Sequence, residues 1–228
     1  MVEEHITGVI RDVDEHGTLT ILAGVPSVAR AMLRQYRTCT IILEDGRRIT
    51  PKQRAKIYAL LGEIDEYVNG LRTPEGQEEQ KNLLKLKFML DCMTDAERKM
   101  FSLSDCSETT ARAFITYDID FIVANDISTA FPLYEKAEDI EHYVYACLVH
   151  KKCAVCGKKA DLHHAEGSHV GNGLNREEVH HLGREALPLC RAHHTELHAM
   201  PEGEFLERYH LSPVKIDERI CKIYGLKK

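Results

Sequence analysis

The stretch from Cys153 to His198 constrains what this chain can fold into more than any other part of its 228 residues. Within 46 residues it carries Cys153-Ala154-Val155-Cys156, then Leu162-His163-His164, then Leu189-Cys190-Arg191-Ala192-His193-His194-Thr195-Glu196-Leu197-His198. Cys153 and Cys156 form a C-x2-C pair and, after 33 intervening residues, Cys190 and His193 form a C-x2-H pair. Three thiolates and one imidazole suit a single tetrahedral zinc. Such an ion does no chemistry. It ties a short hairpin to a helix in a segment too small to bury much core, and metal binding there is folding free energy. His163, His164, His194 and His198 are left over, and the last two, four residues apart on an expected helix, point to one side of it. A second metal can bind there. Eight of the 13 histidines fall between His163 and His198; of these His169, His180 and His181 lie in or beside the loop 167–183 and read singly as solvated.

The order and spacing of these residues resemble the HNH (His-Me finger, ββα-metal) endonuclease family. Its motif opens with a His pair at the end of a strand, passes an Asn at a second strand and closes with histidines on the following helix, often buttressed by two knuckles. The resemblance implies that His163, His194 and His198 hold a catalytic magnesium or manganese ion and that His164 is the general base. It also implies a structural zinc on Cys153, Cys156, Cys190 and His193. Two departures stand out. The family Asn, five residues before the second knuckle's Cys, falls on Glu185, so Glu185 is a candidate loop anchor or metal ligand at the catalytic site. The second knuckle ends in His193 rather than Cys, an ordinary variation for structural zinc. Sequence alone leaves His193 and His194 interchangeable, and keeping C-x2-H spacing together with i,i+4 geometry assigns His193 to the zinc.

Such a site hydrolyses a phosphodiester. A neutral imidazole with a pKa near ~6.5 accepts a proton from water at physiological pH, while a divalent ion neutralises charge growing on the phosphorus oxygens and the departing 3′ oxygen. Arg191, inside the knuckle, is a candidate phosphate contact.

The net charge of −6 looks wrong for a DNA-binding chain until it is divided. Residues 150–228 hold 13 Lys and Arg against 11 Asp and Glu, so residues 1–149 carry the acidity. The finger has charge for local phosphate contacts but not for strong salt-dependent binding by itself. No apolar run is long enough to span a membrane, and Met1-Val2-Glu3-Glu4-His5 lacks the regions of a signal peptide. The expectation is a cytoplasmic protein. Cys39, Cys92, Cys106, Cys147 and Cys221 then read as reduced, mostly buried thiols.

Alternating runs at 5–10 and 18–22, joined by Asp14-Glu15-His16-Gly17, predict a β-hairpin. A short helix over 26–36 and a third strand over 39–43 follow. Thr50-Pro51-Lys52-Gln53 is a capping box with Pro at the first helical position; Ile57, Leu60, Leu61, Ile64 and Val68 make the buried stripe of the helix it starts. Further helices are predicted at about 78–93, 107–125, 138–150 and 201–209, with a tail over 215–226 packing back. Phe114, Ile115, Ile119 and Ile122 read as buried or dimer-forming positions.

Arg47-Arg48-Ile49-Thr50-Pro51-Lys52-Gln53-Arg54-Ala55-Lys56-Ile57-Tyr58-Ala59-Leu60-Leu61-Gly62-Glu63-Ile64 resembles the core signature of the phage Orf (NinB-type) recombination mediators. That resemblance implies a homodimeric module that binds single-stranded DNA, works with single-strand-binding protein, and in some phage proteins carries an HNH segment behind it. Arg47, Arg48, Lys52, Arg54 and Lys56 are then candidate DNA contacts, although a charge run is commonly the solvated face of a helix. Tyr36, Tyr58 or Tyr67 could stack on bases.

The sequence therefore predicts an α+β protein. Residues 1–132 form an Orf/NinB-like single-stranded-DNA-binding domain with a hairpin or sheet and helices; residues 133–228 form a zinc-stabilised ββα-metal nuclease. The expected activity is phage-encoded cutting of single-stranded or branched DNA in recombination or replication, within a bacterial host cytosol. Two other readings remain open: a non-catalytic recombination mediator with a structural zinc finger, and a homing or restriction-type HNH enzyme, against which the acidic N-terminal part argues.

Overall fold

Asp14 closes the first hairpin. Its carboxylate accepts N–H groups from His16 (2.9 Å) and Thr18 (2.8 Å), and Gly17 supplies the φ of +79° that the turn requires. The strands β1 (Gly8–Val13) and β2 (Leu19–Ala23) pair antiparallel with an irregularity between Ile10 and Asp12, and α1 (Val28–Arg34) follows, capped by Ser27. The computed structural model describes residues 6–39, 41, 43, 45–94, 99–168 and 179–227. Of the strand expected over 39–43, Thr40 and Ile42 lie outside the described residues, and Cys39, Ile41 and Leu43 are in no strand. Contacts divide the chain into two compact units, Met1–Glu44 and Asp45–Lys228, and the boundary expected near Phe131-Pro132 falls within the second.

The second unit is built outward from α2 (Pro51–Asn69). Thr50 accepts the Gln53 N–H while the Gln53 side chain accepts the Thr50 N–H, and Gly70 ends the helix at φ +77°. Ile57, Leu60, Leu61 and Ile64 are fully buried, whereas Val68, expected on the same stripe, is exposed because it lies in the last turn beyond the helices packed there. The next helix, α3 (Pro74–Cys92), begins four residues earlier than predicted because Thr73 caps it and Pro74 opens it. Leu84 and Phe88 of α3 meet Phe114, Ile115, Ile119 and Ile122 of α4 (Glu108–Ala124), all buried. Phe88, Phe101 and Phe114 close the contact edge to face, with centroids 5.5–5.8 Å apart.

A 3-10 turn (Leu133–Glu135) leads to α5 (Ile140–Val149), and the core passes through it without interruption into the last third of the chain. There β3 (Asp161–His164), β4 (Glu185–Leu189) and β5 (Val214–Lys215) form an antiparallel sheet in the order β3-β4-β5, joined by α6 (Arg191–His198), α7 (Glu202–Tyr209) and α8 (Glu218–Tyr224). The chain is thus α+β, with two small antiparallel sheets and eight α-helices among the described residues. No helix among those residues is long and apolar enough to cross a membrane.

Most of the basic run at 47–56 has internal work. Arg54 donates to the carbonyls of Leu103 (2.8 Å) and Ser104 (2.7 Å), and Arg48 to that of Asp105 (2.6 Å), so two guanidinium groups pin one loop to the start of α2. Arg47 pairs with Asp45 and Glu108, and Lys56 with Glu138. Lys52 is exposed. Tyr36, Tyr58 and Tyr67 are exposed as well rather than packed in the core.

Two buried acids in this unit yield predictions. Asp65 accepts the Thr73 N–H (2.8 Å) and an Asn69 N–H (2.7 Å), and a Cβ at Gly76 would run into its carboxylate. Alanine normally stabilises a helix relative to glycine by about 1 kcal/mol. Gly76→Ala should instead lower the unfolding free energy by about 1–3 kcal/mol in urea titrations, and a stabilised variant would show that Asp65 has room to move. Asp118 is wholly buried with no hydrogen-bond partner for either oxygen, and burial raises its carboxyl well above the usual range. In the unfolded chain that group ionises above about 3.9. The fold therefore loses stability as pH rises from there toward the higher folded value. Asp118→Asn should gain unfolding free energy relative to wild type as pH rises from about 4 to about 7, by up to about 1.4 kcal/mol per pH unit; an equal difference at both pH values would mean that the fold does not raise the Asp118 carboxyl.

Candidate active site

The first knuckle is shaped by two left-handed residues, Lys151 (φ +53°) and Gly157 (φ +69°). They let Lys152 and Lys159 bridge, let Gly157 N–H reach the Cys153 carbonyl (2.8 Å) and let Cys153 N–H reach that of Lys158 (2.7 Å). The loop is held from both sides through Ala154. Its N–H donates to the Pro188 carbonyl on β4 (3.0 Å) and its carbonyl accepts the buried Tyr143 hydroxyl of α5 (2.8 Å). Cys190 follows β4 as the N-cap of α6, which brings His193 back toward the knuckle.

Cys153, Cys156, Cys190 and His193 converge so that their ligand atoms all lie within 4.8 Å of one another. Cys156 and Cys190 sulfurs are 3.7 Å apart, and His193 Nδ1 is 3.2 Å from Cys190 and 3.4 Å from Cys153. Tetrahedral zinc with sulfur and nitrogen ligands has edges of about 3.4–3.8 Å. The four residues fit that ion. Burial pushes the Cys153 thiol up to about 12. Burial also raises Cys190, but hydrogen bonds from the His193 N–H and from neighbouring thiols outweigh it and leave Cys190 below its ordinary value. A cation would hold such thiolates deprotonated outright.

The second cluster joins β3 to the same helix. His163 is 4% exposed and faces α6, where His194 and His198 stand one turn apart; ligand atoms of all three lie within 4.8 Å. Ring centroids are 4.9 Å (His163–His194), 5.3 Å (His163–His198) and 4.6 Å (His194–His198). Burial, followed by the His198 and Arg191 charges, lowers the pKa of His194, which favours the neutral imidazole that a metal needs. Of the adjacent pair, His193 turns to the thiols and His194 to His163, the assignment that the spacing favours. These three imidazoles suit a divalent ion of borderline hardness.

Beside them is a cleft of about 320 Å³ lined by Asp161, Leu162, Arg191 and His194. It places the Arg191 guanidinium next to the imidazole cluster, where a phosphate could sit.

His164 follows His163 on the strand and so points to the opposite face. There its Nε2 lies 2.9 Å from Nδ1 of His181. His181 is 2% exposed, so the expectation of a solvated loop histidine is corrected: the chain end folds over it, and its N–H donates to the Lys227 carbonyl (3.0 Å). His169 lies outside the described residues. Glu185 opens β4 with its side chain exposed, and its main chain makes the local contacts. Its carbonyl accepts the Ala165 N–H (2.9 Å) and its N–H donates to Ser168 Oγ (3.1 Å), which fixes the turn after β3. Sequence reasoning also missed Glu202, the first residue of α7. Its carboxylate lies 3.8 Å from His163 Nε2 and accepts the Glu166 N–H at 2.9–3.0 Å. No spacing rule reaches from one helix into the next to find it.

If the four-ligand set holds zinc, Cys153→Ser should retain less than one tightly bound zinc per chain by metal analysis. It should also melt at least about 10 °C lower, as the loss of a few kcal/mol implies for a chain of this size. Unchanged metal content and melting would remove the ion from this set.

A model of the family described as Putative HNHc nuclease matches residues 24–227. No curated protein and no solved structure matches the chain. With that match over most of its length, the chain belongs to the HNHc nuclease family.

Proposed function

We propose that the protein is a metal-dependent endonuclease that hydrolyses DNA phosphodiester bonds, using β3, β4 and α6 as a ββα-metal finger. The observation that carries this reading is the convergence of His163, His194 and His198 within 4.8 Å, beside a cleft lined by Arg191. A divalent ion bound by those imidazoles, which suit manganese better than the harder magnesium, would neutralise charge on a non-bridging phosphate oxygen and on the leaving 3′ oxygen.

The remaining steps belong to the chain's own groups. Arg191 receives the phosphate, and His164, the last residue of β3, would take a proton from water where the substrate runs from the Arg191 cleft across the end of the strand. The water oxygen bonds to phosphorus, the P–O3′ bond breaks with its electron pair on the 3′ oxygen, and solvent protonates that oxygen. The products are a 5′-phosphate and a 3′-hydroxyl. Glu185 serves through its main chain, doing for the turn after β3 what the family Asn does through its side chain. Cys153, Cys156, Cys190 and His193 keep α6 in place through a structural zinc.

The resemblance of residues 47–64 to the Orf mediators supports single-stranded or branched DNA as substrate, in phage recombination or replication. It also supports residues 1–132 as the DNA-binding part of a homodimer working with single-strand-binding protein. Since Arg47, Arg48, Arg54 and Lys56 have internal partners, Lys52 is the proposed contact in that run.

The test is cleavage of single-stranded, duplex and branched DNA by wild type and His164→Ala, with magnesium or manganese and with chelator. Wild type should cut only with metal, and His164→Ala should cut at least about 100-fold more slowly while binding DNA and retaining both metals. Equal cutting by the variant would remove His164 as base. Binding without cutting under every condition would make the finger structural.

A further inference from the structure

We infer that His181 is a positioning residue for the general base, holding His164 in one tautomer and one ring orientation; this rests on the nuclease reading above. The two rings face each other through His164 Nε2 and His181 Nδ1 at 2.9 Å, with centroids 5.0 Å apart. A neutral imidazole carries one N–H and one lone pair. The bond therefore needs one ring to donate and the other to accept. With His164 donating from Nε2, its lone pair lies on Nδ1, the atom that would take the proton from water, and His181 keeps its own proton on Nε2. The reverse arrangement would put the His164 lone pair into the His181 bond, where water could not use it.

His181 is built to act as a fixed partner rather than a mobile one. The residue is 2% exposed, its backbone N–H donates to the Lys227 carbonyl (3.0 Å) and its carbonyl accepts the Arg184 N–H (3.2 Å). The Arg184 guanidinium donates in turn to the carbonyls of His180 (2.7 Å) and Ser168 (3.0 Å). Gly183, at φ +80°, donates to the Ile216 carbonyl (2.8 Å). Three separate segments thus clamp the stretch 180–184. On the other side, the backbone of His164 is fixed by its pairing with Ala186. What is left to set is the ring itself, and His181 sets it. A partner on the far nitrogen of a working histidine fixes both tautomer and orientation.

The experiment uses the full chain with zinc and magnesium and compares wild type, His164→Ala, His181→Gln and His181→Asn. An Asn amide can occupy the place of Nδ1, whereas a Gln amide falls near Nε2 and cannot meet His164. His181→Gln should lower kcat by about 10- to 100-fold with KM unchanged, and His181→Asn should recover to within a few-fold of wild type. Long-range ¹H–¹⁵N spectra, with the His164 ring identified by its loss in His164→Ala, should show a single Nε2–H tautomer in wild type and a mixture in His181→Gln. Wild-type kcat in His181→Gln beside an inactive His164→Ala would overturn the inference and leave the nuclease reading standing. Equal losses in the Gln and Asn variants with the His164 tautomer unchanged would reduce His181 to a packing residue. Wild-type cutting by His164→Ala would instead overturn the base that the inference serves.

Discussion

Both main-chain groups of Ala154 are committed in opposite directions, and the finger depends on that commitment. The carbonyl accepts a buried tyrosine hydroxyl from α5 and the N–H donates into β4. A buried main-chain group without a partner is strongly unfavourable, so the knuckle cannot lift from α5 without exposing or orphaning both. Through this residue the helical core, which ends in Tyr143, Val144 and Leu148, becomes the foundation for the sheet that carries His163 and His164. Metal ligands on short hairpins need such support, because the ligands themselves bring little apolar area.

What could be read from the sequence follows the range of the interactions involved. The capping box at Thr50, the α2 stripe and the knuckle spacings are local patterns, and each appears at its expected place apart from Val68 at the end of the stripe. Elements that depend on distant partners were harder. The two-residue strand β5 exists because Val214 and Lys215 find Ala186 and Glu185, and nothing in its own composition marks it. His181 looks like any loop histidine until the chain end covers it, and Glu202 reaches His163 from a separate helix. The strand expected over 39–43 is absent at the described residues 39, 41 and 43.

Charge teaches the same lesson. The cluster from Arg47 to Lys56 has the look of a nucleic-acid surface, but a guanidinium carries five donors in a fixed fork and can as readily satisfy loop carbonyls as phosphates. Arg48 and Arg54 do the former. Arg191, by contrast, opens a helix beside a cleft and the imidazole cluster. Position relative to an opening distinguishes the two uses, and composition does not.

The adjacent histidines of β3 serve different faces of one strand, His163 toward α6 and His164 toward His181. Because side chains alternate with a period of two, sliding β3 by one residue against β4 would exchange them. The residue now facing the metal ligands would meet His181, and its neighbour would take its place among His194 and His198. The same imidazoles would be present with their roles reversed. The register set by Ala165 N–H on the Glu185 carbonyl therefore carries chemical information: it decides which of two identical side chains joins His194 and His198 and which meets His181.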